Sequence, residues 1–209
     1  PTGSGKTLLV SLVPRLIDPA SGGVFLGGHD LRTFPLAVLR AQIGMAEQEA
    51  MLFSDTLSRN IAFGLKEHSE DRVLEAAGIA HLHGDVERFP DRYETVIGER
   101  GVTLSGGQRP RASISRAIVR EPRILILDDV LASVDTATEA AILRNMRPLF
   151  QGRTTLLVSH RVSALRDMDF IVVLEGGRIT QQGTHGELVR REGYYKRLCE
   201  IQELAARMN

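Results

Sequence analysis

The sequence lacks the features of membrane-spanning, secreted and disulfide-bonded chains. Its longest apolar runs, Ile124–Leu127 and Phe170–Leu174, fall far short of the roughly 20 residues that cross a bilayer. No signal-peptide pattern is present. The single cysteine, Cys199, permits no internal disulfide, which predicts a reducing compartment. We expect Cys199 to be a partly buried residue of a C-terminal helix.

The chain also lacks an excess of either charge. Its 26 basic and 26 acidic residues give a net charge of zero, whereas nucleic-acid-binding domains normally carry a basic excess. We therefore predict no nucleic-acid partner. The 209 residues suffice for one domain with a sizeable hydrophobic core.

Strand and helix patterns alternate along the chain, which predicts an α/β fold with a largely parallel sheet. Strands are predicted near Val24–Gly28, Gln42–Ala46, Ile124–Leu127 and Thr154–Ser159, with a hairpin turning at Gly176–Gly177. Helices are predicted at Leu36–Arg40, Ala137–Leu149 and from His185 onward, and in an opening segment, Leu8–Leu16, that Pro14 kinks or ends early. The region Gln48–Arg120 is mostly helical in pattern, which indicates an inserted subdomain.

The opening residues match the phosphate-binding loop G-x-x-x-x-G-K-[ST] from its second position onward. The loop residues are Thr2, Gly3, Ser4, Gly5, Lys6 and Thr7. The two glycines let the backbone turn its N–H groups toward phosphate, Lys6 would reach the β- and γ-phosphates, and the Thr7 hydroxyl would bind Mg²⁺. A glycine-rich turn that caps a helix is the alternative. Because the first glycine of the motif would precede Pro1, we expect an N-terminal part to be absent.

The segment RILILDDV ends an apolar strand in two carboxylates, Asp128 and Asp129. Acids at the carboxyl end of a buried strand lie where ligands bind in α/β folds. Phosphate-loop NTPases need such an acid to hold Mg²⁺. Asp128 supplies it, and the pair of motifs indicates nucleotide binding.

A second anion site is predicted at LSGGQ, Leu104–Gln108. A helix should start near Ser105, whose hydroxyl, together with the N–H groups of Gly106 and Gly107 and the helix dipole, would bind phosphate. One chain needs only one γ-phosphate cradle, so a second one, remote in sequence, suggests two chains that sandwich ATP head to tail. An ordinary N-capped helix after a glycine turn is the alternative.

In this order, the motifs resemble those of the nucleotide-binding domain of ABC transporters, specifically exporters with fused membrane and ATPase domains. The likeness covers the whole chain and extends to half-transporters of bacterial multidrug-type exporters. It implies a P-loop NTPase (RecA-like) core with an inserted α-helical subdomain. It also implies ATP and Mg²⁺ as cofactors, and ATP hydrolysis that drives export of a drug-like, lipid or peptide substrate. The expected location is the cytoplasmic face of the inner membrane.

The resemblance assigns further residues. It makes Gln48 the glutamine that senses Mg²⁺ and the attacking water, Asp135 a residue of the dimer seam, and His160 the γ-phosphate contact. It extends the second anion site to Gln108. His160 also follows a predicted strand directly, at the edge where ligands bind.

The implied partners are a second nucleotide-binding domain and the coupling helices of a transmembrane domain. Glu99, Arg100 and Gly101 are expected near the membrane domain. The apolar segment Met51–Phe53 is expected to be a docking spot for coupling helices, with core packing as the alternative.

The sequence departs from the family pattern in three places. The missing N-terminus removes the first loop glycine and the strand before it, so we expect the fragment alone to bind ATP poorly and fold marginally. Pro110 would remove one backbone hydrogen bond or tilt the start of the helix that follows LSGGQ, the segment called the signature in this family. Asp129 replaces the usual glutamate, the general base, and its carboxylate is set back by roughly 1.5 Å.

A misplacement of about 1 Å can reduce a rate about 100-fold, so we predict slow hydrolysis at this site unless local backbone shifts restore the reach. A different half-transporter that carries glutamate would then be the fitting partner.

The expected division is a core at 1–47 and 121–184, a helical subdomain at 48–120, and C-terminal helices at 185–209. Two alternatives stay open. One is a nucleotide-binding regulatory module with little turnover. The other is a soluble, non-transport ABC ATPase, which the absence of extended heptads disfavours.

Overall fold

The computed structural model describes residues 2–49, 51–98 and 102–208. The strands in these ranges are β1 Phe25–Leu26, β2 His29–Asp30, β3 Ile43–Ala46, β4 Asp55–Thr56, β5 Val96–Ile97, β6 Ile124–Asp128, β7 Thr154–Val158, β8 Ile171–Glu175 and β9 Arg178–Gly183. The helices are α1 Lys6–Ser11, α2 Leu36–Ala41, α3 Leu57–Ile61, α4 Glu70–Ile79, α5 His83–Val86, α6 Gln108–Ile118, α7 Thr136–Phe150, α8 Val162–Leu165, α9 His185–Leu188 and α10 Tyr194–Met208.

A parallel sheet in the order β3–β6–β7 occupies the centre of the fold. Ala46 lies opposite Leu127, and Asp128 lies opposite Val158. The carboxyl ends of all three strands therefore meet at one edge. This arrangement confirms the predicted α/β class with a parallel sheet.

The central strand β6 is buried on both faces, as parallel strands covered by helices are. Ile124 and Ile126 pack with residues of α1 and α2 on one side. Leu125 and Leu127 pack with α3, α4, α6 and α7 on the other. Since side chains alternate along a strand, the continuous apolar run ILIL fills two cores at once.

Helix α6 approaches β3 unusually closely at Gly44. A Cβ atom at this position would overlap the Ala117 carbonyl oxygen. Only glycine fits there, and it lets the helix that follows LSGGQ rest directly on the central sheet.

The C-terminal part forms a third cluster around the antiparallel hairpin β8–β9. The hairpin turns at Gly176 and Gly177, whose φ angles of 56° and 76° need glycine, as predicted. Cys199 of α10 is buried in this cluster. Its predicted structural role is confirmed, and burial raises the pKa of its thiol.

Helix α1 ends at Ser11, ahead of Pro14 as predicted, so the apolar residues as far as Leu16 lie beyond the helix. The helical region predicted from His185 onward consists of two helices, α9 and α10. The mostly helical region also contains the short antiparallel pair β4–β5. In the ranges that the structure describes, no helix is long and apolar enough to cross a membrane.

Candidate active site

The phosphate-binding loop has the backbone geometry that its glycines predict. Gly3 and Gly5 have φ angles of 71° and 93°. A Cβ atom would meet no other atom within 4 Å at either position, so backbone conformation rather than space requires glycine. Lys6 Nζ donates to Ser4 Oγ at 3.3 Å. Helix α1 packs against β6 and β7, which places the loop beside the central sheet.

Four predicted site residues come together at the carboxyl edge of the sheet. Gln48 follows β3 by two residues, Asp128 ends β6 with Asp129 next to it, and His160 follows β7 by two residues. Ligands in open α/β sheets bind at this edge. The topology therefore brings together segments that are remote in sequence.

Asp128 is suited to a cation. Its side chain is buried, at 1% exposure, and its Oδ1 atom has no hydrogen-bond partner among the described residues. Buried carboxylate oxygens normally have a partner. Mg²⁺ commonly takes one or two carboxylates together with substrate phosphates and water. In the described ranges, no cluster of three or more His, Cys, Asp or Glu side chains suited to a metal occurs.

Asp129 and His160 form a pair. His160 Nδ1 lies 3.1 Å from Asp129 Oδ1 and 3.3 Å from Oδ2. Asp129 has a φ of 48°, an uncommon value for a non-glycine residue. Its N–H donates to Val158 O at 3.0 Å. The strained backbone is thus held by the neighbouring strand, and the carboxylate faces the predicted γ-phosphate contact.

Arg161, which sequence patterns did not single out, ties this edge to the segment after β6. Its guanidinium donates to Ala132 O and Val134 O, each at 2.9 Å, and to the carboxylate of Glu139. Glu139 is buried at 1% exposure. The residue beside His160 therefore fixes the backbone of LASVD.

Asp135 ends LASVD and caps helix α7. Its Oδ1 accepts the Thr138 N–H at 2.9 Å. Hydrogen bonds from Thr138 hold the pKa of Asp135 below its usual value. The carboxylate is therefore ionised and oriented, although it lies on the surface.

The LSGGQ segment forms a reciprocal cap. Ser105 Oγ accepts the Gln108 N–H at 3.2 Å, and Gln108 Oε1 accepts the Ser105 N–H at 3.0 Å. The regular helix α6 begins at Gln108 rather than near Ser105, because the intervening glycines form a turn. Ser105 nevertheless starts the helical hydrogen bonding, since its carbonyl accepts the Arg109 N–H at 3.1 Å.

Pro110 leaves a carbonyl without its usual helical donor. In an α-helix the N–H of residue 110 would donate to Gly106 O, and proline has no N–H. Ser133 Oγ donates to Gly106 O at 3.2 Å instead. Gln48, Gly106, Pro110 and Ser133 also line one cavity of about 420 Å³. The first residues after β3 therefore adjoin the signature of the same chain.

The segment after Gln48 presents an apolar surface. Met51, Phe53 and Phe63 are 74%, 41% and 56% exposed, respectively. The two phenyl rings lie 4.7 Å apart. This exposure argues against the core-packing alternative for Met51 and Phe53. Glu99, Arg100 and Gly101 lie outside the described residues.

Arg116 of α6 holds the segments that carry this apolar surface. Its guanidinium donates to Met51 O at 2.7 Å and to Asn60 O and Oδ1, each at 2.8 Å. It also lies 5.1 Å from the centre of the Phe53 ring. Burial lowers the pKa of Arg116. The Asn60 side chain also holds Phe53, because it accepts the Phe53 N–H and donates to the Phe53 carbonyl.

Comparisons with known proteins agree with the fold and the site. Residues 1–132 match the family model described as ABC transporter. The chain is 44% identical over 201 residues to an ATP-dependent lipid A-core flippase of Syntrophus aciditrophicus (strain SB), covering 96% of this chain and 33% of that protein. It is 42% identical over 202 residues to ABC transporter B family member 19 of Arabidopsis thaliana, covering 96% of this chain and 16% of that protein.

Among solved structures, the chain is similar to a bacterial Atm1-family ABC exporter with ATP bound. The TM-score is 0.93 at 39% identity, over 97% of this chain and 36% of the other. The chain thus spans about a third, or less, of the length of the relatives it matches.

The fold and the site define a P-loop ATPase domain. The chain belongs to the ABC transporter family, and the part it covers is an ATPase domain of that family. The predicted family and fold class are confirmed.

Proposed function

We propose that the chain binds and hydrolyses ATP and thereby powers export of a drug-like, lipid or peptide substrate across the cytoplasmic membrane. The observation that carries this proposal is the meeting of Gln48, Asp128, Asp129 and His160 at one sheet edge beside the phosphate-binding loop. The relatives named as a flippase and an exporter support the transport part.

Within this proposal, the backbone of Thr2–Gly5 and the Lys6 ammonium bind the phosphates of ATP. Thr7, Gln48 and Asp128 hold Mg²⁺, which the orphaned oxygen of Asp128 favours. When bound, Mg²⁺ neutralises the charge on the phosphate oxygens. His160 contacts the γ-phosphate, and Asp129 accepts the proton of the attacking water.

In this arrangement Asp129 is poorly placed to act as the base. The Asp129 carboxylate is one methylene shorter than glutamate and already shares His160 Nδ1 between its oxygens. General bases contribute about 10²–10⁴-fold to a rate, and we propose that much of this factor is lost here. Nucleotide binding does not depend on the base, so occupancy of the site is retained. This pairing is also what favours the alternative of a regulatory module with little turnover.

We also propose that ATP is shared between two domains. Ser105, Gly106, Gly107, Gln108 and Asp135 bind the nucleotide held by the partner's phosphate loop, in a head-to-tail dimer. The surface of Met51, Phe53 and Phe63 receives coupling helices of a transmembrane domain on the cytoplasmic side of the membrane. A partner half-transporter with glutamate at the base position would complete one fast site, and no nucleic acid takes part.

The division of the chain follows the same assignment. We propose a core at 1–47 and 121–184, a helical subdomain at 48–120 and C-terminal helices at 185–209. The position of α3, α4, α5 and α6 between β3 and β6 supports it.

Nucleotide binding is tested by labelling the full polypeptide that contains this chain with 8-azido-ATP. Lys6→Ala should abolish labelling, because the phosphates lose their cation. Lys66→Ala, a change of the same kind outside the site, should leave labelling intact. Equal labelling of the parent and Lys6→Ala would refute the proposal.

A further inference from the structure

His160, Arg161 and Val162 follow strand β7 after one intervening residue. Together they contact three different parts of the molecule. His160 meets Asp129 through its side chain, and Arg161 holds the LASVD backbone. The third set of contacts involves the peptide groups of this segment and comes from α10. Gln202 Nε2 donates to His160 O at 2.7 Å, and Gln202 Oε1 accepts the Val162 N–H at 2.9 Å.

The side-chain amide suits this double contact. It carries a donor and an acceptor on one rigid plane, so it satisfies a carbonyl and an N–H on either side of Arg161 at the same time. A carboxylate could accept from Val162 but could not donate to His160. An apolar side chain could do neither.

The helix that carries Gln202 is firmly placed. Tyr195 and Cys199 are 2% and 6% exposed in the third hydrophobic cluster. The Tyr195 N–H donates to Gln181 Oε1 at 3.0 Å, and its hydroxyl lies 2.9 Å from His185 Nδ1. Gln202 follows Cys199 by three residues and Tyr195 by seven, so all three lie on one face of α10. That face is anchored on the hairpin at one end and on the His160 segment at the other.

We propose that Gln202 is a positioning residue for His160: it holds the main chain on both sides of Arg161, so that the imidazole is presented at the sheet edge. This inference rests on the proposed contact between His160 and the γ-phosphate. Without the amide, the His160 segment loses both hydrogen bonds to α10 and the imidazole loses its fixed approach. ATP, which has the γ-phosphate, is then bound less selectively over ADP, which lacks it.

The test compares ATP and ADP as competitors of 8-azido-ATP labelling of the full polypeptide. Gln202→Met keeps the length of the side chain and removes both hydrogen bonds. Its matched control is Glu203→Met, one position along the same helix on an exposed residue. We expect Gln202→Met to lower the preference for ATP over ADP about three- to tenfold. This factor corresponds to the loss of one net hydrogen bond, the proposed contact between His160 and the γ-phosphate. Glu203→Met should leave the preference unchanged.

A variant in the His160→Ala background separates positioning from general destabilisation. If Gln202 acts through His160, then Gln202→Met has no further effect once the imidazole is gone. Cys199 reports whether α10 stays docked, because its thiol is buried. It should resist iodoacetamide in Gln202→Met as it does in the parent.

Four results would overturn the inference: an unchanged preference in Gln202→Met, an equal further loss in the His160→Ala background, rapid alkylation of Cys199, or an unchanged preference in His160→Ala itself. The last result would also remove the role of His160. The proposed ATP site would still stand if Lys6→Ala abolished labelling, so the two failures are distinguishable.

Discussion

At the scale of single residues, we expect Asp129 to limit the proposed hydrolysis of ATP. The residue before it, Asp128, ends a buried strand with an oxygen that has no hydrogen-bond partner, which suits the proposed Mg²⁺ ligand. Asp129 itself has a left-handed backbone and a carboxylate in contact with His160. We propose that the short side chain of Asp129 is what limits the site.

We expect the effect of substituting Ser133 to depend on whether residue 110 is proline. Ser133→Ala removes the donor to Gly106 O and should speed hydrogen exchange of the Ser105–Arg109 amides about fivefold, as for a net hydrogen bond of about 1 kcal/mol. In a Pro110→Ala background, the N–H of Ala restores a helical donor, so the effect of Ser133→Ala should shrink. Hydrogen-exchange mass spectrometry of the full polypeptide measures both effects.

Ser133→Thr is the control for that pair, since it keeps the hydroxyl and should exchange like the parent. If Ser133→Ala accelerated hydrogen exchange equally in the parent and in Pro110→Ala, the two residues would act independently.

At the scale of elements, helix α6 connects the signature to the exposed apolar surface. Arg116 holds the backbone of Met51 and Asn60 from this helix, while the start of the same helix carries the Ser105 cap. The absence of a side chain at Gly44 lets the helix pack directly on β3. We propose that movement of a partner bound at Met51 and Phe53 reaches α6 through Arg116.

We expect Arg116→Met to loosen the segment Met51–Thr56. Three charge-assisted hydrogen bonds and the ring contact are lost, and we estimate a local destabilisation of about 2 kcal/mol. Exchange of the Phe53 amide should accelerate, as followed by hydrogen-exchange mass spectrometry. Arg109→Met, an exposed arginine on the same helix, should have no such effect, and equal acceleration by both changes would contradict the role of Arg116.

The buried face of α10 predicts an inert thiol. Because burial raises the pKa of Cys199, the neutral thiol is favoured in the folded state. Its contribution to stability is complete below the ordinary thiol pKa and is lost as the pH rises through the raised value. Alkylation of Cys199 by iodoacetamide at pH 8 should be slow in the native polypeptide and fast in denaturant. Fast native alkylation would show that α10 is not docked.

At the scale of the whole molecule, patterns of local sequence were sufficient to predict the parallel sheet, the phosphate-binding loop, Asp128 and the signature. Each depends on neighbours within a few residues: glycines that set φ, or an apolar run that ends in an acid. Arg161, Arg116 and Gln202 could not be found in this way, because their partners lie 22 to 65 residues away. Only the packing of β7, α6 and α10 brings those partners within reach.

The whole transporter is expected to have unequal halves. The full polypeptide purified and reconstituted without a partner should bind ATP yet hydrolyse it slowly and export little, since every site that it forms with itself contains Asp129. Addition of a partner half-transporter that carries glutamate should restore hydrolysis. Vigorous export by the lone polypeptide would contradict this expectation.

The most direct measurement is the ATP turnover of the full polypeptide with Asp129→Glu against the parent. We expect the site to be complete apart from the reach of Asp129. Turnover should therefore rise about 10- to 100-fold, the range expected for restoring about 1 Å of placement to a general base. The gain should vanish when Lys6→Ala is added. An unchanged turnover in Asp129→Glu would contradict the proposed role of Asp129.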